Sequence, residues 1–206
     1  QIAALGINVR RIGGSDRYET SALIASEIGV NNGEVALAYG LSFADGLSIA
    51  SIAAKKQMPI LLTKNNIIPN ATKNFINNNN INKTYLVGST TVISEQVASQ
   101  SKGPERLGGA NRYETNSIIF NRFKSEINLS SIYIASGLSF PDALSASAIA
   151  AKSGNFVLLS NIRQSDITVR NVITDAKPYL NNIYVLGSNV VISDNILIGL
   201  GIDIIR

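Results

Sequence analysis

The sequence predicts an α/β protein built as tandem small three-layer α/β/α modules, each with a parallel sheet covered by helices on both faces. Apolar runs such as residues 34–39 and 59–63 are continuously hydrophobic, which is typical of parallel strands buried on both faces. Segments with helical apolar spacing, such as 16–28, separate these runs. The same pattern occurs twice along the 206 residues, which indicates two copies of one unit.

Each copy is predicted to alternate helix and strand, with right-handed crossovers between parallel strands. The helices are inferred from helical spacing or Ala-rich composition, and the strands from short buried-type runs. In the first copy these elements are, in order, a helix over 16–28, a strand over 34–39, a helix over 43–56, a strand over 59–63, a helix over 71–78, a strand over 85–88 and a short helix over 94–99.

Three segments carry the repeat, in the same order in both copies. They are 11–20 (RIGGSDRYET) and 106–115 (RLGGANRYET), 40–45 (GLSFAD) and 137–142 (GLSFPD), and 85–94 (YLVGSTTVIS) and 184–193 (YVLGSNVVIS). The offset grows from 95 residues between Arg11 and Arg106 to 99 between Tyr85 and Tyr184, which small loop insertions explain.

The ends of the chain extend the repeat pattern. Residues 5–11 match residues 200–206, so residues 1–10 are predicted to be the tail of a preceding repeat. The first full module is predicted to span 11–105 and the second 106–206. We interpret the chain as two units of a longer tandem array.

The composition excludes several classes of function. The chain has no His and no Cys, so it cannot form a Ser-His-Asp triad, a Cys-His dyad or an ordinary zinc site, and a zinc-dependent wall amidase is excluded for this segment. It has no phosphate loop and no dinucleotide fingerprint, and no cofactor is predicted. No apolar stretch reaches the roughly 18 residues of a membrane helix, so no membrane insertion is expected.

The charge is mildly positive. A formal net charge of +4 permits an anionic partner. Nucleic acid is the weakest candidate for that partner, because the lysines are scattered and the aromatic residues are few.

The Gly-Gly element of each copy combines a predicted helix cap with basic and aromatic residues. Asp16 with Glu19, and likewise Asn111 with Glu114, have the spacing of a reciprocal helix cap. The glycines also leave backbone N–H groups that could meet an anion. The repeated arginines of this element either bind phosphate or carboxylate or pair across the interface between units, and they are Arg11, Arg17, Arg106 and Arg112. Both copies also repeat a tyrosine here, Tyr18 and Tyr113.

The second element places a serine and an aspartate after a predicted strand. These are Ser42 with Asp45 and Ser139 with Asp142, at the carboxyl ends of strands where α/β sheets bind ligands. One interpretation is a helix cap with an acidic first turn. The other is a polar floor for a sugar hydroxyl or a metal-bridged phosphate. The phenylalanine after each serine either stacks on a sugar or packs in the core.

Residues 11–20, 59–62 (PILL) and 85–94 together resemble the type 2 cell-wall-binding repeat of clostridial surface-layer and cell wall proteins. The resemblance covers essentially the whole chain. It implies a Toprim/Rossmann-like fold without Toprim catalysis, repeats that occur in threes as a triangular trimer of modules, and an extracellular location at the cell surface. It also implies non-covalent anchoring of a secreted surface protein to the cell wall through an anionic secondary cell wall polysaccharide.

The resemblance associates Pro59, Ile60, Leu61 and Leu62 with polymer binding, and it makes Arg11 and Arg17 candidates for the phosphates of the polymer. The matching segment of the second copy, 156–159 (FVLL), departs from the motif. The predicted ligand-binding residues are therefore Arg11, Arg17, Tyr18, Ser42, Asp45, Pro59, Ile60, Leu61, Leu62, Arg106, Arg112, Tyr113, Ser139 and Asp142.

No catalytic or metal-binding residue is predicted, but two other functions stay open. The first is a structural tiling module of a surface lattice (S-layer), whose arginines serve contacts between modules. The second is a hydrolase of wall glycan or phosphate esters, in which Asp45 or Asp142 would work with a distant acid such as Glu19 or Glu114 around a metal.

Overall fold

The structure is a computed structural model that describes residues 5–204. Its regular elements alternate helix and strand as the sequence predicts. They are α1 (Arg17–Ile28), β1 (Glu34–Tyr39), α2 (Ala44–Lys55), β2 (Ile60–Thr63), α3 (Asn70–Asn78), β3 (Lys83–Val87), α4 (Glu95–Ser99), β4 (Pro104–Leu107), α5 (Arg112–Phe123), β5 (Ser131–Ser136), α6 (Phe140–Ser153), β6 (Phe156–Ser160), α7 (Ile167–Ala176), a 3₁₀ turn (Lys177–Tyr179), β7 (Asn182–Val185) and α8 (Asp194–Gly199).

Two parallel sheets follow the same order. The first is β2-β1-β3-β4, and the second is β6-β5-β7. In each sheet the chain runs from the central strand to one side and then crosses to the other, so the direction of winding reverses beside the central strand. This confirms the predicted class of tandem α/β modules with parallel sheets.

Strand β4 was not predicted from the sequence. It pairs with β3, with Thr84 opposite Pro104 and Val87 opposite Leu107. The predicted border between residues 105 and 106 therefore falls inside a strand of the first sheet, and the structural border lies after Leu107. The sequence pattern does not reveal this strand because it is only four residues long and mixes charged and apolar residues. It begins with proline, which edge strands tolerate.

Layers of apolar side chains on the two faces of the first sheet have different extents. Val35 and Leu37 belong to a core shared with α1, α3 and α4, which is confined to the first module. Ala36 belongs to a larger core that includes α2 and continues without a break into the second module. Helix α2 packs against both α5 and α6, so the junction between the modules is itself a hydrophobic core.

The ends of the described chain are less enclosed. Residues 5–12 form no strand and are exposed, and residues 1–4 of the predicted preceding tail lie outside the described residues. At the other end Ile202 and Ile204 pack partly on the large core, while 205–206 lie outside the described residues.

Candidate binding site at the junction of the modules

The predicted Ser-Asp element of the first module lies where the sheet winding reverses. Residues 42–45 follow β1, Ser89 follows β3, and residues 108–112 follow β4 and lead into α5. The carboxyl ends of these parallel strands meet at one edge of the sheet, which is where open α/β sheets bind ligands.

A small polar pocket opens at this edge and is lined by both modules. Its volume is about 160 Å³. The first module contributes hydroxyl groups and a carboxylate, and the second contributes the start of α5. The polar side chains that line it include Ser42, Asp45, Ser89, Thr91, Asn111 and Arg112. The structure thus brings together three predicted residues, Ser42, Asp45 and Arg112.

Asp45 is buried in this pocket without a hydrogen-bond partner within residues 5–204, and only 7% of it is exposed. Burial raises the pKa of this carboxyl to about 6, and the positive charge of Arg112 opposes part of that increase. An acid held in this way in a cleft is a candidate for function, because structural acids are normally paired.

Arg112 joins the two modules. Its Nη1 donates a hydrogen bond of 2.5 Å to the Gly137 carbonyl, and its guanidinium carbon lies 5.6 Å from the centre of the Phe43 ring. Arg17, at the same position in the first module, donates from Nη1 to the Gly40 carbonyl at 2.7 Å. Each guanidinium has five donors, so each keeps N–H groups available for an anion.

Arg106 does not fit its predicted role in ligand binding. Its Nη1 donates to the carbonyls of Gly88 (3.1 Å) and Ile93 (2.8 Å), and its Nη2 pairs with Glu95 at 2.8 Å. The guanidinium therefore fastens β4 to the segment that follows β3. Arg11, the matching residue of the first copy, is exposed and has no such partner in the part of the chain that the structure describes.

We expect Arg106→Ala to lower the free energy of unfolding by about 1.5–3 kcal/mol, because two buried carbonyls and a carboxylate lose a charged donor. Arg11→Ala, the matched control, should change it by less than about 0.5 kcal/mol. Urea unfolding followed by circular dichroism measures both values. Equal effects of the two substitutions would contradict the structural role of Arg106.

Two N–H groups of each Gly-Gly turn are already used within the protein. In the first module the Gly14 N–H donates to the Thr20 hydroxyl at 3.0 Å, and the Ser15 N–H donates to Glu19 at 2.6 Å. The second module repeats both bonds at Gly109 and Ala110. The chain's own glutamate thus takes the place that the sequence suggested for a ligand. A Cβ on Gly14 would collide with the Glu19 side chain, which explains the glycine.

At the Gly-Gly element the cap acceptors are confirmed, but the glutamates do not return the bond to the cap residue, since they accept from the N–H groups of Ser15 and Ala110. Asp16 Oδ1 accepts from the Glu19 N–H at 2.8 Å, and Asn111 Oδ1 accepts from the Glu114 N–H at 3.0 Å. Ser139 occupies the cap position of α6 but makes no capping hydrogen bond, and Phe43 rather than Ser42 occupies that of α2. Neither serine therefore makes a capping hydrogen bond, although Asp45 and Asp142 do lie in the first turns of α2 and α6 as predicted.

Tyr18 and Tyr113 are core residues in this structure. Both are buried, and each ring packs so tightly against a glycine, Gly40 or Gly137, that any side chain there would collide with it. Burial also raises the pKa of Tyr113. Neither ring offers an open surface for stacking on a sugar.

The PILL segment forms the end of the α2–β2 connection and most of β2. Pro59 and Leu61 are buried, and Ile60 and Leu62 are partly buried. Because the Leu61 side chain is fully buried, it cannot contact a ligand at the surface directly. The strand leads to Lys64, whose ammonium lies 5.6 Å from the centre of the Tyr18 ring on the rim of a second groove of about 540 Å³.

Lys64 was not predicted as a site residue from the sequence, although only Thr63 separates it from the PILL motif. The signal was the position, since a residue just after a buried parallel strand lies at the carboxyl edge of the sheet.

The second module repeats the Ser-Asp element in an open form. Ser139 is exposed and Asp142 is half-buried, and no following module covers them in the described chain. The phenylalanines next to the two serines, Phe43 and Phe140, contact each other with ring centres 5.8 Å apart. Both rings lie at the junction of the modules and are partly exposed, at 38% and 51%.

Within residues 5–204 no group of three or more acidic residues is placed to hold a metal ion. None of the described helices is long and apolar enough to span a membrane.

Two like α/β modules, joined by a helical core and with polar grooves at the carboxyl edge of the first sheet, define a tandem-repeat protein with a candidate binding site. The chain belongs to the cell wall binding domain 2 (CWB2) family, whose model matches residues 11–98 and again 106–197. This membership confirms the resemblance inferred from the sequence. It identifies a cell wall-binding part of a surface protein, located outside the cell at the wall.

Relatives and solved structures agree with this assignment. The chain is 33% identical over 196 residues to N-acetylmuramoyl-L-alanine amidase LytC of Bacillus subtilis (strain 168), covering 95% of this chain and 38% of that protein. It is 28% identical over 153 residues to the amidase enhancer of the same organism, covering 73% of this chain and 21% of that protein. The chain thus spans well under half the length of these relatives.

Two solved structures from Clostridium difficile share the fold. Cwp6 superposes with a TM-score of 0.82 at 28% identity, over 98% of this chain and 33% of Cwp6. Cwp8 superposes with a TM-score of 0.84 at 23% identity, over 97% of this chain and 34% of Cwp8.

Proposed function

We propose that the chain anchors a secreted surface protein non-covalently to the cell wall by binding an anionic secondary cell wall polysaccharide, and that it has no catalytic role of its own. One observation carries the proposal beyond family membership. The guanidinium groups of Arg17 and Arg112 lie at the carboxyl edges of the two modules, and among residues 5–204 each uses one donor in a hydrogen bond. Repeated cations with unused donors suit a polymer with repeated negative charges.

Repetition is what makes such contacts sufficient. One exposed ion pair contributes about 0–1 kcal/mol, which is too little to hold a surface protein. Several equivalent modules on one polymer gain roughly 10²–10⁴ in avidity without any stronger contact. Tandem modules with one cationic site each are therefore adequate for an anchor.

We also propose that a third module completes the arrangement. Ile24 and Ile28 on α1 are 44% and 54% exposed, whereas the matching residues on α5, Ile119 and Phe123, are fully buried. The difference arises because α2 packs on α5, whereas the helix that packs on α1 is α3, and no helix takes the place of α2 on α1 in the described chain. The uncovered face of α1 fits a helix of the α2 type from another module.

Residues 9–12 support the same partner. They match β4, which pairs with β3 of the module before it. Glu105 ties β4 to Arg122 on α5 at 2.7 Å, and at the matching positions Arg10 pairs with Glu27 on α1, with the charges exchanged. Segment 9–12 thus lies beside α1 in the way that β4 lies beside α5, but it pairs with no strand in the described chain. A third module would supply the sheet with which it pairs.

The lattice-tiling alternative has a specific observation in its favour. Arg112 contacts Phe43 of the first module across the junction. The contacts of Arg106 fasten β4, the strand that leads into the second module, to the first sheet. A protein that only tiles a lattice would show the same contacts and no affinity for isolated polymer.

A pull-down on purified cell walls, before and after acid extraction of the anionic polymer, tests the anchor. We expect binding that disappears with the polymer and that weakens about tenfold in Arg17→Gln/Arg112→Gln, which corresponds to about 1.4 kcal/mol. Lys73→Gln removes an exposed charge from α3 and should bind as the wild type does. Folded protein that never binds intact walls would favour the lattice role instead.

A further inference from the structure

The buried carboxyl group of Asp45 is not explained by anchoring alone. Building on the proposed function, we propose that the junction pocket binds one acidic group of the wall polymer, a phosphate or a carboxylate. Arg112 supplies the positive charge, and Asp45 takes up a proton and donates it in a hydrogen bond to the bound group. Polymer binding at the junction is then coupled to proton uptake.

The pocket has the size and donors for such a group. Its volume of about 160 Å³ has room for one acidic group rather than for a run of sugars. The Ser89 and Thr91 hydroxyls, 2.6 Å apart, share one hydrogen bond and leave a second donor between them. Arg112 has one hydrogen-bond acceptor among the residues that the structure describes, so further N–H groups remain.

The charges that face Asp45 explain why it would be protonated when an anion is bound. Arg112 on α5 is the charged group that acts on it, while the residues lining the pocket from β3 onward, Ser89 and Thr91, are uncharged. An ionised Asp45 would oppose an anion in a site with little water. Its pKa of about 6 means that protonation is accessible near neutral pH, and a bound anion raises that pKa further.

Asp142 is the matched control inside the same chain. It follows β5 as Asp45 follows β1, and its carboxylate lies next to Gly187 as that of Asp45 lies next to Gly88. In the described chain no second module closes over it, so it should not take part in coupled binding.

The first test titrates the carboxyl carbons by NMR in the 206-residue chain, with and without inorganic phosphate. We expect phosphate to raise the titration midpoint of Asp45 by at least about half a pH unit and to leave that of Asp142 unchanged. An Asp45 midpoint that does not move at saturating phosphate would overturn the proposal.

The second test measures binding of purified anionic wall polymer at pH 5 and pH 7.5. The wild-type chain should bind about tenfold more tightly at pH 5. Asp45→Asn, which resembles the protonated acid, should bind equally at both values, with folding checked by circular dichroism. Binding by the wild type that is independent of pH contradicts this proposal alone. Absence of binding at every pH contradicts the anchor function as well.

Discussion

Replacing Phe123 with alanine is expected to lower the free energy of unfolding by about 3–5 kcal/mol, the range for a buried aromatic residue. The ring is fully buried and lies 5.2 Å, centre to centre, from Tyr85 of the first module. The Arg122 guanidinium lies 4.9 Å from its centre and the Lys56 ammonium 5.5 Å. The substitution therefore opens a cavity at the junction and removes contacts between the modules. Urea unfolding measures the loss.

Ile28→Ala is the matched control, since Ile28 holds the same repeat position on α1. Because it is 54% exposed, its replacement should change the unfolding free energy by less than about 1 kcal/mol. Equal losses for the two substitutions would contradict the packing of α2 on α5. In a longer chain that carries a third module, the loss for Ile28→Ala should rise toward that for Phe123→Ala.

Asp45→Asn is expected to stabilise the protein at pH 7 by up to about 3 kcal/mol, and to have little effect at pH 4. The folded-state pKa of about 6 lies above the ordinary value of 3.8, so the folded chain holds this proton more tightly than the unfolded chain does. Stability therefore falls as the pH rises from about 4 to about 6, at about 1.4 kcal/mol per unit of pKa difference. Asparagine removes that penalty because it carries no charge.

Thermal or urea unfolding of the wild type and Asp45→Asn at pH 4, 5, 6 and 7 gives this profile, with Asp142→Asn as the control. If the unfolding free energies of the wild type and Asp45→Asn differ by the same amount at all four pH values, ionisation of Asp45 does not destabilise the folded protein. Selection for stability alone would replace such an acid, so its stabilising removal would support a role in binding.

The elements of the fold follow from the sequence where burial is strong. The runs that became β1 and β2 are apolar on both faces, and Asp16 caps α1 as its spacing to Glu19 predicts. Strand β4 carries no such signal. Its place is decided by pairing with β3, a contact that the four residues of the strand do not encode by their own hydrophobicity.

The sequence predicts which residue types form the candidate site, but not which of them are already engaged in contacts within the protein. Arg11 and Arg106 stand in nearly the same local sequence, yet one is exposed and the other holds two carbonyls and a carboxylate. The neighbouring module makes the difference, and no local pattern shows whether it is present. The burial of Leu61, by contrast, followed from the apolar run to which it belongs.

The position of β4 has a mechanical consequence for a protein attached to a wall. Tension along the chain passes from the first module to the second through β4, which is hydrogen-bonded along its length to β3. Pulling on the end of β4 loads those bonds together in shear, and separating the modules must also expose the apolar contact between α2 and α5. The two modules should therefore resist force as one body. The junction described here contains no flexible linker that would extend under a low load.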